Sequence, residues 1–361
     1  MHFTCDKDEL NYALTLALKA VPTKTTVPAQ ECVLVEANDT IRLTGNDAEM
    51  GIEAELSGMV MEPGTVMLNA KLFSDIVKKL PNHDAVAITA NGTTVEISCG
   101  RSKFQIGSRD GDDFLRLPVV TGKPVSFDVD TVDFREMIQK VIFCTTQTGS
   151  NRMMEGVQLS VKDNVLTAVA LDGYRIGIRR LPVNSAEFSV VIPGKTLSSI
   201  AKIMSGGSAR VTITKNHIQF DIAGAKVISR LIDGEFFNVK NVMSAHYTIM
   251  VTADRKEIMD SFGRTTVVMS STERKPVVVD IADGIMTINA KSTIGTVHEE
   301  LECIDHQGDG IHIGFNPHYM MDALNAIDSS EVTIRMINPK SPCNISGEDF
   351  VYIVLPVNIN S

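Results

Sequence analysis

The amino-acid sequence predicts an α+β protein built from three copies of one unit. Three observations predict it. A helical stretch recurs at a spacing of about 123 residues. Short strand-like runs, separated by turn residues, flank each copy in the same order. The 361 residues hold three such units without remainder, and a chain of this length ordinarily forms two or three domains. Most connections between the strands are too short to be crossover helices, so the sheets are expected to be antiparallel. Packing two amphipathic helices on one face of a curved antiparallel sheet is the economical way to bury their apolar stripes. The spacing sets the units at residues 1–122, 123–245 and 246–361.

The recurring helix is clearest in the run from Pro193 to Met204, where Leu197, Ile200, Ala201 and Met204 follow the i, i+3, i+4, i+7 spacing of one helix face. Its counterparts are Phe73, Ile76, Val77 and Leu80 in the first unit, and Met320, Ala323, Leu324 and Ile327 in the third. Lys195 and Lys202 lie seven apart on the opposite face, as do Lys71 and Lys78; the third copy has His318 and Asn325 there.

The first unit opens on a strand at 3–5, then Asp6 as a helix cap and a helix from Lys7 to about Ala20. Strands at 33–37 and 41–44 flank Asn38-Asp39-Thr40, and strands at 85–89 and 94–98 flank Asn91-Gly92, a strong hairpin turn. A strand at 101–107 and Arg109-Asp110-Gly111-Asp112-Asp113 close the unit. The second unit repeats this order, with a helix at 132–143, hairpin strands at 156–161 and 165–170, strands at 210–214 and 218–222, and the ending Ile232-Asp233-Gly234-Glu235-Phe236. The third has a helix from Asp254 to about Thr265 and strands that include 277–281, 286–290, 297–302, 332–336 and 352–355.

Composition narrows the function classes. Apolar residues make up 43% and charged residues 22%, an ordinary globular balance. No apolar run is long enough to span a membrane, and Met1-His2-Phe3-Thr4-Cys5-Asp6 does not read as a signal peptide. The six scattered cysteines include no C-x-x-C pair, which suits reduced thiols in a cytoplasmic protein and points to neither a zinc site nor a disulfide framework. The formal charge of −10 argues by itself against a nucleic-acid partner, although net charge says nothing about where charges sit. No cofactor or metal is expected. Pro193-Gly194-Lys195-Thr196 ends like a phosphate-binding loop, but the pattern needs glycine at 189, where Ser189 stands. No H-x-x-x-H pair occurs, and Asp172-Gly173-Tyr174-Arg175 has no neighbouring nucleophile and base, so an enzyme is not expected. With 5% aromatics and no tryptophan, single-strand binding by base stacking is disfavoured.

Four segments carry a resemblance to a known family. They are Thr167-Ala168-Val169-Ala170-Leu171-Asp172-Gly173-Tyr174-Arg175-Ile176, Leu231-Ile232-Asp233-Gly234-Glu235-Phe236, Gly314-Phe315-Asn316-Pro317-His318-Tyr319 with Asp322-Ala323-Leu324, and Tyr352-Ile353-Val354-Leu355-Pro356-Val357. In this order and spacing the chain resembles, over its full length, the bacterial sliding clamp, the beta subunit of the replicative DNA polymerase III. The resemblance implies three clamp-type domains, a head-to-tail homodimer forming a ring, and a processivity factor that encircles duplex DNA without reading sequence. It also implies that replicative polymerase, clamp loader and repair proteins are held through short linear motifs. The alternative is a monomeric tandem-repeat scaffold that binds peptides and does not encircle DNA.

The resemblance also places sites. Lys71, Lys78, Lys195 and Lys202, with Lys24 and Arg152, would face DNA, where phosphates attract cations without base readout. A partner-motif cleft would be walled by Met154, Leu171, Gly173, Tyr174, Arg175, Ile176, Phe237 and Val242, and completed by Asn316, Tyr319, Ile353, Leu355, Pro356 and Val357. Phe237 stands where the family usually has proline, and Asn358 where it has a basic residue. The dimer contact would pair the strand carrying Arg101, Lys103, Phe104 and Ile106 with the acidic stretch at Glu299 and Glu300, with Val268 and Met269 as apolar contacts.

Overall fold

The computed structural model describes residues 1–359 apart from 83–84, 120–121, 147–150, 244–245, 270–274 and 348. The first repeat runs β1 (His2–Cys5), α1 (Lys7–Ala17), β2 (Cys32–Ala37), β3 (Ile41–Asn46), β4 (Met50–Leu56), β5 (Gly58–Glu62) and β6 (Gly64–Asn69). It continues α2 (Ala70–Lys79), β7 (Val86–Asn91), β8 (Thr94–Cys99), β9 (Ser102–Gly107) and β10 (Arg109–Asp110). The second runs β11 (Val125–Asp130), α3 (Thr131–Ile142), β12 (Gly156–Lys162), β13 (Val165–Leu171), β14 (Arg175–Pro182) and β15 (Phe188–Pro193), then α4 (Gly194–Ala201), β16 (Ser208–Ile213), β17 (His217–Ile222) and β18 (Ala225–Arg230). The third runs β19 (Ile249–Asp254), α5 (Arg255–Val268), β20 (Val277–Ala282), β21 (Ile285–Lys291), β22 (Thr296–Glu302), β23 (Asp305–Gln307) and β24 (Ile311–Phe315). It ends with α6 (Pro317–Ala326), β25 (Glu331–Met336), β26 (Cys343–Ser346) and β27 (Phe350–Val354).

The helices form where the apolar period and a cap coincide. Asp6 accepts hydrogen bonds from the Asp8 and Glu9 amides at 2.8 and 3.0 Å, and Asp254 accepts one from Glu257 at 2.9 Å. Asn69 caps α2, and Asn316 caps α6 with Pro317 pre-set at its first position. Phe73, Val77, Leu197, Ile200, Met320 and Leu324 are each fully buried, so the apolar stripe of all three copies faces a core. Three helices differ from the sequence expectation, and the first is α1, which ends at Ala17 and reaches Ala20 only as a 3-10 turn. α4 stops at Ala201 rather than continuing to Met204, because Gly206 and Gly207 follow with positive φ and the end tightens to an Ile203 amide bonded to Ile200 at 2.9 Å. Lys202 therefore sits in the turn after the helix. α5 extends beyond Thr265 to Val268.

Chain contacts divide the molecule into two compact units, Met1–Arg135 with Lys195–Leu231 and Glu136–Gly194 with Ile232–Ser361. The first holds a five-stranded sheet, β5-β1-β7-β8-β9, and a nine-stranded sheet, β10-β6-β2-β3-β4-β18-β17-β16-β11. The second holds a nine-stranded sheet, β15-β12-β13-β14-β27-β26-β25-β19-β23, and a four-stranded sheet, β22-β21-β20-β24. Every pairing between these strands is antiparallel. Each repeat thus divides its strands between two sheets instead of keeping one sheet to itself. Each nine-stranded sheet is continuous across two repeats, through β4·β18 in one unit and β14·β27 in the other.

The repeat holds within the chain to single-residue register. β3·β4, β13·β14 and β21·β22 each close on a four-residue loop, 47–50, 172–175 and 292–295. The first residue caps the loop in every case. Asp47 accepts from the Met50 amide at 2.8 Å, Asp172 from the Tyr174 amide at 3.0 Å, and the Ser292 hydroxyl from the Ile294 amide at 3.1 Å. The pairings between repeats then coincide: Ile52 lies opposite Val227, and its equivalent Gly177 lies opposite Tyr352, the equivalent of Val227.

Candidate functional site

The apolar residues of the expected cleft gather entirely inside the second unit. Val169, Leu171, Ile176, Ile178 and Ile353 are buried as one cluster, and Met154, Phe236, Val239, Val242, Met243 and Val351 pack against it partly exposed. These residues come from β13, β14, β27 and two connecting segments, and β14·β27 is the pairing that brings them together, setting Ile176 opposite Ile353. The chain after β27 stays attached. The Leu355 amide donates to the Tyr174 carbonyl, and the Val357 amide to the Gly314 carbonyl, both at 2.8 Å. Leu355, Pro356 and Val357 are all half-buried beside this cluster's strands.

The lip is the 172–175 loop. Gly173 takes φ +90, which admits glycine freely and other residues with strain. Tyr174 is 62% exposed, and its ring stands 6.4 Å from that of Tyr319. Arg175 is a fastening rather than a free cation. It bonds Asp172 at 2.9 Å, pairs with Asp322, and donates to the Phe143 carbonyl at 2.7 Å. Its guanidinium carbon lies 4.3 Å from the Tyr319 ring centre. Burial is the largest single influence and opposes its charge, but the Asp322 hydrogen bond, together with the interactions with Tyr352 and Cys144, outweighs it and leaves the pKa above the ordinary arginine value. Burial also raises the Tyr319 hydroxyl.

Of the sequence-predicted cleft residues, Met154, Leu171, Ile176, Val242 and Ile353 meet in the cluster. Asn316 is spent as a helix cap, its side-chain oxygen accepting from the His318 amide at 3.0 Å. Phe237 is 49% exposed, while Phe236 packs on the cluster with Val239 and Met243. The signal for those three was the apolar spacing 236, 239, 242, 243 around a short 3-10 turn at Val239–Asn241.

The matching place in the first unit has different chemistry. There Asn46, Glu49 and Arg230 occupy the positions of Leu171, Tyr174 and Leu355, and they line a cavity of about 260 Å³. Met50, Leu115, Leu117, Pro118 and Ile228 line the same cavity, so it mixes charged and apolar groups where the second unit gathers apolar side chains alone around Ile176 and Ile353.

The basic candidates are on the surface. Lys24, Lys71, Lys78, Lys195, Lys202 and Arg152 are all exposed. Lys195 is engaged by Asp47, whose side chain is only 7% exposed. The dimer candidates fall on open sheet edges: among the described residues β9 pairs with β8 alone and β22 with β21 alone. Arg101 precedes β9; Lys103 is 3.4 Å from Glu96; Phe104 and Ile106 share the half-buried face. Glu299 is held by Arg264 at 2.5 and 2.8 Å, and that hydrogen bond keeps its carboxyl below the ordinary range. Glu300 lies 3.1 Å from His298. Val268 ends α5 and Met269 caps it, both half-buried. The sequence reading missed Leu72, Val267 and Ile294, exposed at 46%, 77% and 73%.

A threefold antiparallel repeat with sheets running through its repeat junctions and a partly exposed apolar cluster at one of them defines a clamp-type protein. Family models agree over nearly the whole chain. The N-terminal, central and C-terminal domains of the DNA polymerase III beta subunit match residues 1–118, 128–238 and 240–358, and the chain belongs to this family. It is 29% identical to the beta sliding clamp of Staphylococcus aureus over 374 residues, with 99% of both chains covered. The structure of a putative DNA polymerase III beta subunit from Eubacterium rectale superposes with a TM-score of 0.97 at 38% identity, covering 100% of both chains. The sliding clamp of Bacillus subtilis does so at 0.95 and 25% identity, covering 99% of each. A Pseudomonas aeruginosa clamp solved with griselimycin bound shares the fold, at 24% identity with 99% of each chain covered and a TM-score of 0.92.

Proposed function

We propose that two copies of this chain close head to tail into a ring that encircles duplex DNA and holds polymerase, clamp loader and repair proteins by short linear motifs in the cleft of the second unit. The observation that carries this reading is the repeated junction. β4·β18 and β14·β27 join consecutive repeats in one register, and the next strands in the series, β22 and β9, keep open edges. An open edge is a template for another strand, and a heterologous contact that closes at two copies covers both. Three domains, at 1–122, 123–245 and 246–361, supply the six that such a ring needs. Exposed Lys71, Lys78 and Lys195 on the recurring helix and Lys202 in the turn after it, together with Lys24 and Arg152, serve DNA by charge alone, so contact is register-free. The protein acts as a tether in the cytoplasm and performs no chemistry of its own; no helix among the described residues is long and apolar enough to cross a membrane.

The test is topological. Native mass should be twice the 39.3 kDa of one chain. Protein loaded on a nicked circle should be retained, and should be lost once the circle is linearised. Equal loss from circular and linear DNA, or a monomeric mass at micromolar concentration, overturns the ring and favours the monomeric scaffold.

A further inference from the structure

The junction of the first two repeats is plugged by the chain itself, and the plug leaves a pocket with its own chemistry. Gly51 lies opposite Ile228 there, as Ile176 lies opposite Ile353 in the second unit. Space requires the glycine. A Cβ on Gly51 would stand 1.9 Å from Leu117 Cδ2, so Leu117 takes the room that the Ile176 side chain takes at the other junction. The segment carrying Leu117 is fastened at three points. Phe114 is buried against Cys32, Leu34 and Met67. The Leu115 carbonyl accepts from the side-chain amide of buried Asn46 at 2.7 Å. Arg116 pairs with Glu36 at 2.7 Å. This segment is a fixed wall.

Between that wall and the paired ends of β17 and β18 lies the cavity of about 260 Å³. Its floor is apolar, made by buried Met50 and Ile228 with Leu117 beside them. Its rim carries Arg116 and Arg230 against Glu49 alone, in a chain whose formal charge is −10. Arg116 is already met by Glu36, so Arg230 is the cation on offer; it is exposed and forms no ion pair among the described residues. His217 stands opposite Arg230 in the β17·β18 pairing. Burial and that guanidinium hold its pKa below the ordinary histidine value, so at neutral pH it is an uncharged hydrogen-bonding group.

We propose that this pocket is a second docking site, taking a short peptide that sets one leucine side chain on Met50 and Ile228 and the carboxylate of a following acidic residue against Arg230. That the ligand is a peptide rests on the clamp reading, in which the equivalent place in the second unit takes partner motifs; that it is acidic rests on the rim. A motif ending in two apolar residues would press the second of them on this charged rim, whereas the second unit gives it apolar walls. The two sites therefore sort different segments.

The experiment separates them. The probe is a hexapeptide, Gly-Ser-Leu-Asp-Ser-Gly, acetylated and amidated so that the aspartate is its only charge. In full-length protein labelled at the methionine methyls, the Met50 signal, assigned from M50L, should move on titration. The signals of Met154 and Met243, assigned from M154L and M243L, should stay. R230E should weaken the probe at least tenfold, because a carboxylate then meets a carboxylate. Deleting residues 355–361 should leave its binding unchanged. A glutamine-led motif peptide should do the reverse, losing affinity on truncation and ignoring R230E. Circular dichroism controls folding. No binding at millimolar probe, wild-type affinity in R230E, or shifts at Met154 and Met243 in place of Met50 overturns the second site and leaves the cleft reading standing. A glutamine-led peptide that ignores the truncation, while the acidic probe still follows Arg230, overturns the cleft reading and leaves the second site in place.

Discussion

Arg175 shows how one side chain serves both stability and site. It is 10% exposed, and so is Asp172; Asp322 is 39% exposed. Replacing it with methionine strands two carboxylates and releases Tyr319, so Arg175→Met should lower unfolding stability by about 3 kcal/mol in urea titration. Unchanged stability would mean the guanidinium is free to serve a ligand. Lys195 calls for similar care, since Lys195→Glu would face the nearly buried Asp47. The clean charge reversal is therefore Lys71, Lys78 and Lys202 to Glu, which should shorten retention on circular DNA while the melting curve stays put. Retention that holds across a salt series would make these lysines merely solvated. Individual contacts were the least legible scale in the sequence. Phe236 and Phe237 are adjacent, and only the turn after Gly234 decides which one packs. Leu72 and Ile294 read as ordinary surface apolar residues, which a fold exposes routinely.

At the scale of elements, the recurring helix was readable because its period is long, its caps are polar and its burial is one-sided. Strands such as β14 and β18 were not read from alternation, because each pairs on one side with a strand of another repeat. Those cross-repeat partners are far off in sequence, as Arg175–Arg179 against Phe350–Val354 shows. The cleft was legible only as four family motifs, since its walls meet through that long-range pairing. The tail after β27 is the element most open to test. Deleting residues 355–361 removes the bonds to Tyr174 and Gly314 and leaves the interior of the sheet intact. A motif peptide with a leading glutamine and trailing Leu or Phe should bind the full chain at roughly micromolar Kd and lose measurable affinity for the truncated one. Fluorescence anisotropy at wild-type strength after truncation would remove the tail from the site.

For the molecule as a whole, Phe104→Asp with Val268→Asp should yield a folded monomer by size exclusion at low micromolar concentration, because both place a charge where an apolar edge would be covered. A dimer at that concentration would move the seam elsewhere. The shared sheets have a further consequence. Because β4·β18 and β14·β27 run backbone hydrogen bonds from one repeat to the next, each of these junctions is held by strand pairing as well as by the covalent chain. A chain nicked in the connection between two repeats would therefore stay in one piece under native conditions and come apart only on unfolding.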